Sequence, residues 1–157
     1  MSAVNANAAL AASYGGISPA VPTHWPNTFF TPPVGAMWVK PFFKWNPAIP
    51  HTNFAEGLSQ TTGFGQFDIL GPTGKGEAAH NVIADQICAM FPVGSKHEWE
   101  GTEVTIISIG KVGSHEEDKY WKSIVSFTAR FFSHIDTARN ALVVPDFVAI
   151  FNEELTP

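Results

Sequence analysis

The chain has 157 residues, a formal net charge of −5, 45% hydrophobic residues and one cysteine. That length suffices for one domain with a proper core. Nine Lys and Arg against fourteen Asp and Glu, with no cationic cluster, argue against a nucleic-acid groove. The lone Cys88 leaves no partner for an internal disulfide or a CxxC metal site and reads as a core thiol on an apolar helical face. The N-terminal stretch lacks the pattern of a secretory leader, and no apolar run reaches membrane-spanning length, so the expected setting is the cytoplasm with no membrane contact.

Residues 1–39 contain no Asp, Glu, Lys or Arg. Ala3 to Ser13 is alanine-rich and predicts a short helix, closed by Tyr14-Gly15-Gly16. A proline- and aromatic-rich connector follows, "PAVPTHWPNTFFTPP". An uncharged arm with Trp25, Phe29 and Phe30 gains little from water and should pack on its own body or on a neighbour. "GAMWVKPFFKW" predicts a strand with Met37, Val39 and Phe43 on one face and Trp38, Lys40 and Phe42 on the other. Pro41 cannot donate to a ladder and marks that strand as an edge or as bulged. Asn46 to Gln60 reads as a loop. "TTGFGQFDIL" resumes a strand whose glycines suggest a bend or a close approach.

The stretch Gly71 to Glu77, "GPTGKGE", raises the question of a phosphate-binding loop. The pattern fails: Ile69 stands where the first Gly is needed, Gly76 where a Ser or Thr hydroxyl should hold magnesium, and Glu77 would repel phosphate. A tight strand-to-helix turn explains the glycines, with Lys75 as a solvated turn residue. The helix predicted over Glu77–Phe91 places Ala79, Ile83, Ile87, Met90 and Phe91 on one face and His80, Asn81 and Asp85 away from it; Pro92 and Gly94 end it. Glu103 to Gly110 predicts a strand, Ser114 to Asp118 an acidic turn. "YWKSIVSFTARFF" alternates cleanly, with Trp121, Ser123, Val125, Phe127, Ala129 and Phe131 opposite Lys122, Ile124, Ser126, Thr128 and Arg130. In the tail, Phe147, Ile150 and Phe151 fit a helix almost as well as alternation fits a strand. The order of elements points to an α+β fold: an antiparallel β-sheet with one main helix packed on it, an N-terminal helix and an extended proline-rich arm. One domain of 1–157 is expected, divided into helix and arm (1–36), body (37–132) and tail (133–157).

No catalytic constellation emerges from the residues. The six histidines form no HxH, HExxH or HxxxH pair. His97, Glu98 and Glu100 are the nearest approach to a metal set, and a solvated loop explains them better. Ser114-His115-Glu116 names triad residue types, but adjacency in sequence is not geometry. Catalytic residues, metal ligands and cofactors are therefore expected to be none.

Four segments together resemble the tail terminator (tail completion) proteins of long-tailed bacteriophages: the Ala-rich helix with "HWPNTFFTPP" and "WVKPFF", the strand "TGFGQFDIL", the turn and helix "GPTGKGEAAHNVIADQICAMFPVG", and the strand pair "EVTIISIG" and "YWKSIVSFTARFF". The likeness runs from about Ala3 to Phe132. No single motif is specific; order and spacing carry it. The resemblance implies a non-enzymatic virion protein: a ring, six-fold, that caps the head-proximal end of the tail tube, stops its polymerisation and joins it to the head. The partners implied are other copies of the chain, the tail tube protein and head-side neck proteins, with DNA passing through the bore without specific binding. Trp25, Phe29 and Phe30 are the expected subunit-interface residues. The alternatives are a neck or head-closure connector of the same particle, or a nucleotide- or metal-dependent enzyme.

Overall fold

The computed structural model describes residues 3–15, 20–50 and 57–134. Helix α1 (Ala3–Tyr14) is followed by strands β1 (Trp38–Trp45), β2 (Ile49–Pro50) and β3 (Leu58–Pro72). Helix α2 (Ala78–Met90), then β4 (Lys96–Trp99), β5 (Thr102–Glu117) and β6 (Tyr120–His134) complete the chain. All pairings between strands are antiparallel, in the order β1-β3-β6-β5-β4, with β2 paired to β3 beyond the end of β1. This is an α+β fold, and both helices lie on the same face of the sheet.

Period-2 burial explains the strands. On β6, Ser123, Val125, Phe127, Ala129 and Phe131 are buried, and their β3 partners Ile69, Phe67, Gly65, Gly63 and Thr61 are buried opposite them. Phe67 is the hub of the core. Its ring stacks on Tyr14 at 5.1 Å and Phe91 at 5.6 Å, and meets Phe127 at 5.8 Å and Phe43 at 5.9 Å. Gly65 makes the Phe127 position possible, because a Cβ there would collide with that ring. Pro41 sits on an edge strand, paired with Phe67 without a register shift. An edge strand accommodates the missing donor, as the sequence suggested.

α1 buries Ala6, Ala9, Leu10 and Tyr14, one stripe at helical spacing, against β4 and β5. Small alanines let the helix approach closely, and Trp45 Nε1 donates to Asn7 Oδ1 at 2.7 Å across the far end. The glycine turn before α2 uses positive φ at Gly74 (80°) and Gly76 (75°), a region favourable to glycine. It is a strand-to-helix turn.

Four expectations need correcting. His80 is buried, not outward: His80, Ile83, Ala84 and Ile87 form the inward stripe of α2, and Ala79 is exposed. Gly71 admits the imidazole, since a Cβ at Gly71 would stand 2.6 Å from His80 Nε2. The acidic segment is mostly strand, because β5 runs on to Glu117 and leaves the turn to Asp118 and Lys119. The expected solvated loop around His97 holds β4, paired to the start of β5. Within the expected loop Asn46–Gln60, Ile49–Pro50 and the start of β3 are strand, while residues 51–56 lie outside the described residues. So do residues 135–157, with the tail positions Phe147, Ile150 and Phe151.

Candidate interaction surface

The arm, residues 20–37, follows the edge of β1. Val39 N–H donates to Pro22 O at 2.9 Å and His24 N–H to Val39 O at 2.8 Å, so the arm satisfies part of the open edge of the sheet. From that edge its aromatics divide. Trp25 turns to the helix side and meets Tyr14 edge-on at 5.7 Å. Phe30 turns to the other side, stacked on His24 at 5.0 Å and against Trp38 at 5.1 Å; Trp38 in turn meets Tyr120 at 6.1 Å. Between them lies a turn fixed by Thr28, whose Oγ1 donates to Trp25 O at 2.7 Å, and by Asn27 at φ 59°. Asparagine tolerates this left-handed conformation through its short polar side chain. The turn projects Phe29 fully into solvent, at 111% relative exposure. Val34, further along the arm, is equally exposed. Of the three aromatics singled out from sequence, Trp25 and Phe30 are engaged within the chain, and Phe29 is presented outward.

The arm runs beside the β5–β6 turn. Pro32 to Ala36 and Pro72 face Lys119 and Tyr120 across an open cleft of about 390 Å³. At this turn Glu116, Glu117 and Asp118 are exposed. Lys122 donates to Glu117 at 2.8 Å and to Asp68 at 3.0 Å. The Lys122 hydrogen bond holds the Glu117 carboxyl below its ordinary range. Burial pulls the Lys122 ammonium down, but its two carboxylate partners outweigh this and hold it above its usual range.

The sheet face away from the helices carries no helix among the described residues. Near the arm it is closed by Trp38, Phe30 and Tyr120. Toward the other end it opens. Phe42 and Phe64, both partly exposed, meet at 5.8 Å, with Lys44 beside Phe64 in register and Arg130 two residues beyond Phe64's β6 partner Thr128. Sequence alternation grouped Phe42 with Trp38 and Lys40, and Arg130 with Lys122, Ile124, Ser126 and Thr128, but only the register of β1 on β3 and β3 on β6 brings Phe42 and Arg130 into one patch.

The residue sets considered for chemistry do not converge. His97 Nδ1 and Nε2 are engaged with the hydroxyls of Ser13 (2.7 Å) and Ser95 (2.8 Å), its ring packs on Phe91, and burial lowers its pKa. Glu98, the next residue of the strand, faces the other way, and Glu100 lies in the following turn. Ser114, His115 and Glu116 are successive residues of β5, so their side chains alternate between faces; Ser114 bonds Ser123 at 2.9 Å and His115 approaches Glu117 at 3.6 Å. Among the described residues, Lys75 reaches only Gly35 O, at 3.5 Å, on the surface. Cys88 is half-buried, and burial raises its thiol pKa, which keeps it protonated.

No curated protein matches this sequence. Among solved structures, one chain that carries no functional name superposes with a TM-score of 0.68 at 23% identity, covering 83% of this chain and 96% of that one. That likeness concerns the fold. The profile of the phage tail terminator protein family matches residues 3–128, from the start of α1 to near the end of β6. The match takes in the helix, arm, glycine turn and strand pair on which the sequence resemblance rested, and the chain belongs to the phage tail terminator family, a family of structural tail proteins.

Proposed function

We propose that this chain forms a closed ring on the head-proximal end of a phage tail tube, where it ends tube polymerisation and provides the joint to the head. The family match over residues 3–128 carries this reading. The surface supports it. A closed ring needs two different patches on each subunit, related by a rotation that closes. The described surface offers an outward-presented Phe29 on the arm and exposed Phe42 and Phe64 on the outer sheet face. Phe29 is the arm residue that enters a neighbour, while Trp25 and Phe30 hold the arm in shape. The remaining partners are the tail tube protein on one side of the ring and head-side neck proteins on the other. The acidic balance of the chain would let DNA pass through the bore without adhering.

The test is polymerisation of the purified tail tube protein with and without this chain. Tubes should stop growing and stay short when the chain is added at substoichiometric amounts. Tubes that elongate unchanged while the chain binds filled heads would make it a head-closure protein instead.

A further inference from the structure

Two opposite ends of this molecule match each other in chemistry. The first is the arm end: exposed Val34 faces Lys119 and Tyr120 across the cleft, next to the acidic residues Glu116, Glu117 and Asp118, and exposed Phe29 stands further back on the same arm. The second is the open end of the outer sheet face: the Phe42–Phe64 pair flanked by Lys44 and Arg130, with Lys40 two residues along β1. Lys40, Lys44 and Arg130 are exposed and have no ion-pair partner among the described residues. Nearby on β4 and β5, Lys96 neutralises Glu103 at 2.8 Å; exposed Glu98 lies at the far margin, two strands from Arg130.

Within one chain the acidic turn lies far from the patch. Tyr120 adjoins the arm and Thr128 lies in the row of Phe64 and Lys44. Eight residues of strand separate those rows, roughly 26 Å at about 3.3 Å per residue. We infer that the Phe42–Phe64–Lys44–Arg130 patch is the docking surface for the arm end of a second copy of this chain, with Phe29 and Val34 against the aromatic pair and the acidic turn against Lys44 and Arg130. Apolar contact supplies the buried centre, and opposite charges at the rim set partner orientation. The contact is heterologous, because each copy gives one end and receives at the other. This rests on the ring reading above and names the interface that closes it.

Charge reversal of the full-length chain tests it, read by light-scattering mass with circular dichroism as the folding control. The variants are E116K/E117K at the arm end and K44E/R130E on the patch, all at exposed positions. Wild type should run as a ring, and each reversed variant should fall to the 17.0 kDa of a single chain while remaining folded. Mixing the two variants should restore rings, because a reversed arm end then faces a reversed patch. A monomeric wild type would overturn the ring reading and this interface with it. A wild-type ring whose mass neither reversal changes would leave the ring standing and overturn this interface; the patch would then be covered otherwise, for example by residues 135–157 of its own chain. Variants that each dissociate but do not reassemble on mixing would show that the two charge sets do not face one another, which also overturns the inference.

Discussion

The two faces of the sheet follow the same alternation and end in different states. The helix-side face carries Val39, Phe67, Ile69, Val125, Phe127 and Phe131, all buried, with α1 and α2 over them. The outer face carries Phe42, Phe64 and Arg130, and among the described residues no element lies over its open end. Aromatic content is similar on both sides; what differs is which side the chain covers itself. The inner face is therefore where substitution should destabilise the fold, and the outer face is where it should change association.

Six substitutions and one titration sharpen that contrast. The largest effect is expected from Phe67→Ala, which empties the hub of the aromatic core and should cost about 3–5 kcal/mol in a denaturant melt. Phe64→Ala, three residues before Phe67 on β3 and on the opposite face, should stay within about 0.5 kcal/mol as a surface change. Equal losses at the two sites would mean the outer face is covered. Gly65→Ala is next: its methyl would strike the Phe127 ring, and overpacking of this kind costs about 1–3 kcal/mol. A neutral result would place Phe127 elsewhere.

The same contrast governs Phe29→Ala. Its folding stability should not move, while association weakens by about 2 kcal/mol if Phe29 is an interface anchor. Sedimentation across a dilution series reads this, and an unchanged series would remove Phe29 from the interface. The inner face also predicts a pH dependence. Burial lowers the pKa of His80 and of His97 from the ordinary 6.5, so the folded chain favours their neutral forms. Their contribution is full above the unfolded value and is lost as pH falls through the interval between that value and the lowered folded ones. The melting temperature should therefore decline as pH falls below about 6.5, and His97→Gln should flatten part of that slope. A slope that His97→Gln leaves untouched would assign the effect elsewhere. The smallest effect is expected at Lys75→Ala, within about 0.5 kcal/mol and with normal tail assembly, since among the described residues that side chain reaches one surface carbonyl. A folded variant that fails to assemble tails would show a binding role for Lys75.

Much of the inner face was legible because burial there repeats with the period of the element. Alternation along β6 and the glycines of β3 gave strand and close approach directly, and Pro41 marked the edge. What was missed lay where other forces override the apolar signal. β4 has only Trp99 as an apolar residue; it is a strand because β5 pairs with it, and a long-range partner leaves no local trace. The acidic run Ser114–Glu117 looked like a turn because its residues are charged, but a strand at a solvated edge can carry charge on both faces. His80 was placed outward on its polarity, although its spacing to Ile83, Ala84 and Ile87 was that of the buried stripe. The surface patch was least legible of all. Phe29 stood out by composition, but the pairing of Phe42 with Phe64 and Arg130 depends on the registers of three strands, which no local pattern states.

Electron micrographs of the purified chain, alone, with isolated tails and with filled heads, test the central claim most directly. The account predicts closed rings in the protein alone and one ring seated on the head-proximal tip of each isolated tail. The absence of rings, or rings that join filled heads and ignore tails, would contradict it.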